Sequence, residues 1–247
     1  ELGEWVAVKV FHPGLTDAAR ERIRREVRLG RNLQHPGLVR VFELIESGDR
    51  LAVVMELVSV GSVAARLEAG PLAVDEVVRI ADETLAVLAF LHREGVVHRD
   101  IKPSNLLLDA GGRVRLADLG LVRRLDDGGD LTRTATTVGT PQFMSPEQIR
   151  GERAGPPADL YSLGVTLFHL LTGKAPFQGA SEFEVAHRHL RATPPDPRTR
   201  RSDCPRWLAR FVLRLLEKAP GDRFRGAGDA RLPRLDSGAV PAWPRSW

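Results

Sequence analysis

The amino-acid sequence predicts an α+β fold in which a small antiparallel β-sheet with one helix precedes a larger, mainly α-helical part. Strands are predicted at 5–11, which is rich in valine and alternates, and at 38–46 and 50–57, which flank a turn. One charged helical pattern occupies 17–32. Beyond residue 57 the apolar residues recur at helical spacing, most clearly at 74–94, 158–171 and 206–218.

The composition is that of an ordinary globular protein. Of the 247 residues 43% are apolar, which suffices for a hydrophobic core. No apolar run approaches the roughly twenty residues that span a bilayer, and no signal peptide is visible, so we expect no membrane segment. Cys204 is the only cysteine, which excludes an intrachain disulfide and a cysteine-rich metal site. These features favour a cytoplasmic location.

The charge pattern argues against a nucleic-acid partner. The formal net charge of +4 is spread along the chain, and no basic stripe with interleaved aromatic residues is present. Arginine supplies nearly all of the 36 basic residues, so the few lysines are informative. They are Lys9, Lys102, Lys174 and Lys218.

The elements of the first part follow one another closely. The strand at 5–11 carries Ala7 and Lys9 on one face and ends at His12-Pro13-Gly14. The helix at 17–32 has Glu26 near its middle and Gly30 one turn later, and a helical glycine costs up to about 1 kcal/mol relative to alanine. We expect a packing gap beside it. A turn at 47–49 then joins the strands 38–46 and 50–57 into a hairpin.

The second part is mostly helical. Short and long helices are predicted at 62–68, 74–94, 158–171, 181–191 and 206–218. Between the second and third of these, 106–108 and 114–117 form a strand pair turned by Ala110-Gly111-Gly112. Near the end, three prolines discourage a long helix, and we expect a partly disordered tail at 229–247.

One stretch of the sequence carries several polar residues and runs into the first of these short strands. Residues 98–109 read His-Arg-Asp-Ile-Lys-Pro-Ser-Asn-Leu-Leu-Leu-Asp, which presents a carboxylate, an amine and an amide ahead of an apolar run. Phosphoryl transfer needs little covalent help from a protein, so a carboxylate that orients a hydroxyl and oxygen ligands for magnesium are most of what it requires. Asp100, Lys102 and Asn105 suit the roles of base, cation and metal ligand. A turn with incidental polar residues fits each residue singly but not the set.

This stretch strongly resembles the catalytic loop of eukaryotic-like (bacterial-type) serine/threonine protein kinases. The resemblance covers roughly 6–224, and its other motifs follow in the family's order: Val-Ala-Val-Lys ending at Lys9, Asp118-Leu119-Gly120, and Gly-Thr-Pro-Gln-Phe-Met-Ser-Pro-Glu at 139–147. It implies a two-lobed protein-kinase-like fold with an incomplete small lobe at 1–57 and a helical lobe at 58–228. It further implies phosphorylation of serine or threonine on protein substrates, with ATP and Mg²⁺ as cofactors.

The resemblance also assigns the nucleotide site. Lys9 reaches the phosphates and is positioned by an ion pair with Glu26, while Asp118 and Asn105 hold magnesium. The adenine ring is bound against apolar side chains and at the hinge between the lobes, which is 55–58. The matching residues are Ala7, Met55, Glu56, Val58 and Leu107. Asp100 is the catalytic base, and Lys102 offsets charge on the transferred phosphoryl group.

Further residues match structural and regulatory positions of the family. The supporting residues are His98, Arg99, Glu147, Asp159 and Arg223, of which Glu147 and Arg223 form a buried pair and Asp159 braces the catalytic loop. The polar segment 121–138 matches the activation segment. We expect autophosphorylation there, at Thr134 and Thr136, with Arg99 receiving the phosphate and a homodimer as the reacting assembly.

One family feature is missing: no glycine-rich loop, and no strand to carry it, precedes Lys9. Because the chain also begins at Glu1, we expect a kinase domain truncated at its N-terminus. The alternative is a catalytically impaired pseudokinase or regulatory scaffold, which Gly30 and the missing loop favour and the intact catalytic residues oppose. A small-molecule phosphotransferase is a third reading, disfavoured by the activation segment.

Overall fold

A three-stranded antiparallel sheet and one helix form the first lobe. The structure, a computed structural model, describes residues 5–118 and 141–232. Strands β1 (Val6–Val10), β2 (Val41–Ser47) and β3 (Arg50–Glu56) lie in the order β1-β3-β2. Helix α1 spans Asp17–Asn32, as predicted. The small antiparallel sheet followed by a helical lobe confirms the predicted α+β class and two-lobed fold.

The small lobe has its own apolar core, which holds α1 against the sheet. Its buried members come from β1's end, α1 and β3, and are Phe11, Ile23, Val27, Leu51 and Val53. The N-terminus of α1 is capped by the Thr16 hydroxyl, which accepts from the Ala19 N–H at 3.2 Å. The outer face of β1, with Val6, Val8 and Val10, is exposed, so Ala7 and Lys9 face the other way, toward the interlobe cleft.

The segment between α1 and β2 is attached to the second lobe. The Leu116 N–H donates to the Gly37 carbonyl at 2.7 Å, and the Val39 N–H donates to the Leu116 carbonyl at 3.0 Å. A side chain at Gly37 would collide with Val87 of the large lobe. These bonds explain why β2 begins at Val41 and not at residue 38 as predicted: the backbone of 38–39 pairs with the large lobe instead.

The large lobe contains the other six α-helices and the two-stranded sheet found in the described residues. They are α2 (Val63–Leu67), α3 (Val74–Arg93), β4 (Leu106–Leu108), β5 (Val114–Leu116), α4 (Pro146–Ile149), α5 (Pro156–Thr172), α6 (Glu182–Arg191) and α7 (Arg206–Leu215). Helix α5 is buried along nearly its whole length. Gly164 allows α7 to pack closely, because a Cβ there would lie 2.7 Å from the Leu215 Cβ.

The ends of some helices differ from the sequence prediction. Helix α7 ends at Leu215 rather than 218, and the Leu216 N–H caps the last turn by donating to the carbonyls of Val212 and Leu213. Pro220 follows closely and starts a short 3-10 turn, which prevents a longer helix. Of the predicted tail, 229–232 continues the fold with Ala230 buried, while 233–247 lies outside the described residues. Within the described part of the chain, no helix is long and apolar enough to cross a membrane.

Candidate active site

The loop after α3 is held by a buried carboxylate on α5. Asp159 is fully buried, and its oxygens accept from the His98 N–H at 2.9 Å and the Arg99 N–H at 2.6 Å. His92 on α3 adds a bond from its Nε2 at 2.8 Å. Arg99 has a φ of 68°, a left-handed conformation that is unfavourable for a residue with a side chain. Asp159 therefore helps to hold a strained backbone immediately before Asp100.

The His98 ring is also part of this framework. Its Nε2 lies 3.1 Å from the Ala117 carbonyl and its Nδ1 accepts from the Asp100 N–H at 3.3 Å. One neutral tautomer, protonated on Nε2, satisfies both partners. Complete burial lowers the pKa of His98 below its usual value, which keeps the ring in that neutral form. His98 thus connects the catalytic loop to the residue before Asp118.

Three predicted catalytic side chains meet at Asp100. Its Oδ2 accepts from the Lys102 Nζ at 2.8 Å and from the Asn105 Nδ2 at 3.0 Å. The Asn105 amide also donates to the Asp100 carbonyl at 2.8 Å. Since both donor bonds fix the amide, Asn105 Oδ1 is turned to act as an acceptor. The arrangement places one carboxylate, one cation and one oriented amide oxygen within a single short loop.

Lys9 and Asp118 meet across the cleft between the lobes. The Lys9 Nζ lies 2.8 Å from Asp118 Oδ1, and about a third of each side chain is exposed. Glu26 is buried on α1 and lines the same small cavity as Asp118 and Gly30, which agrees with the packing gap predicted at that glycine. The cavity is completed by Val39, Val41, Met55 and Leu116. The ion pair of Lys9 with Glu26 stays a prediction.

The residues expected at the adenine site lie around the connection between the lobes. Ala7 on β1 is paired in register with Met55 on β3, and Leu107 lies half-buried on β4. Glu56 ends β3 and Val58 follows it, half-buried. The Glu56 N–H is already bonded to the Arg40 carbonyl at 2.9 Å, which leaves the carbonyl of Glu56 as the group to consider for a ligand.

Two further ion pairs stabilise the site's surroundings. Glu147 and Arg223 form a bidentate pair at 2.7 and 3.0 Å, with at most 4% of either side chain exposed. The remaining N–H groups of Arg223 donate to three backbone carbonyls, so all five of its donors are used. At the hinge, Arg115 pairs with Glu56 at 2.5 Å and donates to the Leu38 carbonyl.

Comparison with known proteins identifies the family. Residues 1–228 match the protein kinase domain family. The chain belongs to the protein kinase family. This kinase domain is 36% identical to the serine/threonine-protein kinase PknB of Mycolicibacterium smegmatis, over 97% of this chain and 40% of that protein. It is also 36% identical to the probable serine/threonine-protein kinase SCO3848 of Streptomyces coelicolor, over 94% of this chain and 36% of that protein. By family it is therefore a serine/threonine kinase domain of bacterial type.

A solved structure shares the fold. The crystal structure of a mutant of the Mycobacterium tuberculosis PknI kinase domain superposes with a TM-score of 0.73 at 28% sequence identity, over 93% of this chain and 83% of that one. The kinase domain thus spans about two fifths of the length of PknB from M. smegmatis, and it covers most of the PknI kinase domain.

Protein kinases use ATP and Mg²⁺, and the side chains present suit both. The described residues contain no group of three or more His, Cys, Asp or Glu that could hold a metal by themselves. Magnesium in phosphoryl-transfer sites is bound by one or two protein oxygens together with substrate phosphates and water, so a complete protein cage is not required. Asp118 and the oriented Oδ1 of Asn105 would supply the protein oxygens. Lys9 would supply a cation for the phosphates.

Several residues of this kinase domain were not singled out by the sequence. Gln148 donates to the Arg99 carbonyl in the catalytic loop. His92 bonds to Asp159, which holds that loop, and Arg115 pairs with Glu56. Gln148 directly follows the Ser-Pro-Glu motif, which was the available signal. Leu119, Gly120, Thr134 and Thr136, together with the predicted activation segment, lie outside the described residues.

Proposed function

We propose that this kinase domain transfers the γ-phosphoryl group of ATP to serine or threonine hydroxyls of protein substrates. The observation that carries the proposal is the cluster at Asp100, whose carboxylate accepts from Lys102 at 2.8 Å and Asn105 at 3.0 Å. A carboxylate held in this way suits the task of orienting a hydroxyl and taking its proton.

In the proposed reaction the acceptor oxygen forms a bond to the γ-phosphorus while the bond from that phosphorus to the β-bridging oxygen breaks. ADP leaves, and the hydroxyl proton passes to Asp100. Lys102 lies beside the path of the transferred group and offsets its negative charge. Asn105 holds Asp100 in place through its amide, which donates to the Asp100 carbonyl and to Oδ2.

The opposite side of the cleft supplies the nucleotide contacts. Lys9 on β1 would meet the phosphates, and Asp118, two residues after β5, lies 2.8 Å from it. Asp118 and Asn105 would hold magnesium, which would supply positive charge to offset that of the phosphates. We assign the adenine site to Ala7, Met55, Glu56, Val58 and Leu107, which surround the connection between the lobes.

A transfer assay tests the proposal. The protein, and a form extended at its N-terminus, are incubated with ATP, Mg²⁺ and dephosphorylated casein, and modified residues are identified by mass spectrometry. We expect phosphoserine and phosphothreonine. Transfer to free small molecules but not to protein would overturn the assignment. Nucleotide binding without transfer in both forms would instead support a binding or scaffold function.

The proposal also covers how the kinase domain is regulated and where it acts. We assign autophosphorylation to Thr134 and Thr136, with Arg99 as the acceptor of the phosphate charge. The reaction between two copies requires at least a transient homodimer, so the initial autophosphorylation rate should rise with the square of protein concentration. The domain would act in the cytoplasm and on proteins, without a nucleic-acid partner.

A further inference from the structure

Gln148 connects the segment that follows the Ser-Pro-Glu motif to the catalytic loop. It lies in the short helix α4, is nearly fully buried, and its Nε2 donates to the Arg99 carbonyl at 3.0 Å across 49 positions of sequence. Its Oε1 accepts from the Ser145 N–H and hydroxyl, both at 3.0 Å. One side chain therefore closes the capping box of α4 and bonds the loop that carries Asp100.

The orientation of this amide is decided by its partners. A backbone N–H can only donate and a backbone carbonyl can only accept. Because Ser145 presents an N–H and Arg99 presents a carbonyl, Oε1 must face the former and Nε2 the latter. A carboxylate at this position would keep the bond to Ser145 and would meet the Arg99 carbonyl with a second acceptor.

The bond acts on one specific peptide unit. The Arg99 carbonyl and the Asp100 N–H belong to the same peptide plane, which Gln148 holds on one side and the His98 ring on the other. Asp159 holds the preceding plane through the Arg99 N–H. Between the two planes lies the left-handed φ of 68° at Arg99. Without Gln148, the Arg99–Asp100 peptide unit would lose one of its two hydrogen bonds, directly beside the strained φ of Arg99.

We propose that Gln148 is a positioning residue that aims the Asp100 carboxylate, an inference that rests on the proposed phosphoryl transfer. In the proposed reaction, Gln148 contacts neither the nucleotide nor the acceptor. It acts through the Arg99–Asp100 peptide and couples the packing of α4 to the geometry of the base. Its loss should slow the chemical step and leave nucleotide affinity unchanged.

The test compares Gln148→Glu with Gln178→Glu. Gln178 also donates its amide to a backbone carbonyl, that of Ala175 at 3.2 Å, but it is exposed and has no hydrogen bond to the catalytic loop among those described. We expect Gln148→Glu to lower kcat between about 10- and 100-fold with the KM for ATP unchanged, because small misplacements of reacting groups have effects of this size. Gln178→Glu should keep both constants. An equal fall in kcat in both variants would overturn the proposal. So would a rise in the KM of Gln148→Glu for ATP with kcat unchanged.

The pH dependence separates positioning from general damage. When protonated, the introduced carboxyl regains a donor for the Arg99 carbonyl, and burial raises the pKa of such a group. The kcat of Gln148→Glu relative to the parent should therefore recover as the pH falls from about 8 to 6. Gln148→Met, which keeps the volume but can never donate, should show no recovery. Parallel pH profiles for the two variants would contradict the proposal.

A readout independent of catalysis distinguishes this inference from the proposed function. Hydrogen exchange of the backbone around 98–101 should speed up in Gln148→Glu but not in Ser145→Ala, which weakens the cap of α4 and leaves the bond to Arg99 in place. Equal exchange in the two variants would show that Gln148 only supports α4. An inactive parent protein with this exchange difference would overturn the proposed transfer while leaving the positioning of Asp100 intact.

Discussion

Lys9 and Asp118 lie 109 positions apart in the sequence, yet the Lys9 Nζ donates to Asp118 Oδ1 at 2.8 Å. The first is on the sheet of the small lobe and the second follows β5 of the large lobe, so the bond spans the interlobe cleft. Asp118 has a φ of 57°, a second left-handed residue beside the site. Both side chains are part-exposed, so the pair is accessible to a nucleotide with its metal.

Replacing Asp118 should therefore affect nucleotide binding. In Asp118→Asn the side chain loses the charge that attracts both Lys9 and magnesium, and we expect Mg²⁺-dependent affinity for ATP to fall by at least about ten-fold. Affinity for ATP measured with EDTA present should change little. Titration of a fluorescent ATP analogue, with and without Mg²⁺, measures both values. An unchanged Mg²⁺ dependence would contradict the assignment of Asp118 as a metal ligand.

Asp100→Asn should separate binding from transfer. The base acts on the acceptor hydroxyl and not on ATP, so we expect phosphoryl transfer to fall about 10²- to 10⁴-fold while nucleotide affinity stays near that of the parent. Single-turnover transfer to casein and nucleotide titration on the same preparations measure the two quantities. Equal transfer rates for variant and parent would show that another group accepts the proton.

The predicted activation segment should become phosphorylated. A phosphothreonine brings nearly two negative charges, which Arg99 can pair with, so we expect modification of Thr134 and Thr136 after incubation with ATP and Mg²⁺. Mass spectrometry of 121–138 detects it, and Asp100→Asn is the negative control. If that segment stays unmodified while casein is phosphorylated at the full rate, the assignment of Thr134 and Thr136 as phosphosites is wrong.

The Glu147–Arg223 pair should be important for stability. Glu147→Gln leaves the guanidinium of Arg223 buried without a counter-charge, and removal of one partner of a buried pair typically lowers the free energy of unfolding by about 3–5 kcal/mol. Because Arg223 keeps three carbonyl acceptors, we expect the lower end of that range. The matched variant is Glu184→Gln, in the exposed pair with Arg188, which should cause a far smaller loss in urea denaturation.

His189 should make stability depend on pH. Burial, with Lys218 nearby, lowers its pKa from 6.5 to about 3 in the folded protein. Below about pH 6 the unfolded chain therefore binds the extra proton, and the free energy of unfolding should fall by up to about 1.4 kcal/mol per pH unit from this residue. His98, with its own lowered pKa, adds to the same trend.

His189→Gln should make the pH dependence shallower between about pH 6.5 and 5, as measured by urea denaturation at several pH values. The exposed His187, two positions earlier in α6, provides the matched control, and its replacement should keep the slope of the parent. If His187→Gln and His189→Gln change the slope equally, the pH dependence of stability does not come from the buried ring of His189.

Much of the fold followed from local patterns in the sequence. Helix α1 was predicted with both ends correct, because Asp17 is near its start and the apolar positions of Ile23 and Val27 share a face. The hairpin of β2 and β3 followed from the turn at 47–49, where Gly48 has a φ of 58° that suits glycine. Patterns of this kind depend on residues a few positions apart, which a sequence displays directly.

By itself the sequence determined the family, the order of the elements and the chemical types at the site, since the spacing from Asp100 to Asn105 and on to Asp118 is local information. Only the tertiary structure decided which groups meet: that Lys9 pairs with Asp118, that 38–39 bonds to β5 and shortens β2, and that Gln148 reaches the Arg99 carbonyl. The reason is physical. These contacts join segments that are distant along the chain, and their geometry depends on how the two lobes and their cores pack, which no short-range pattern encodes.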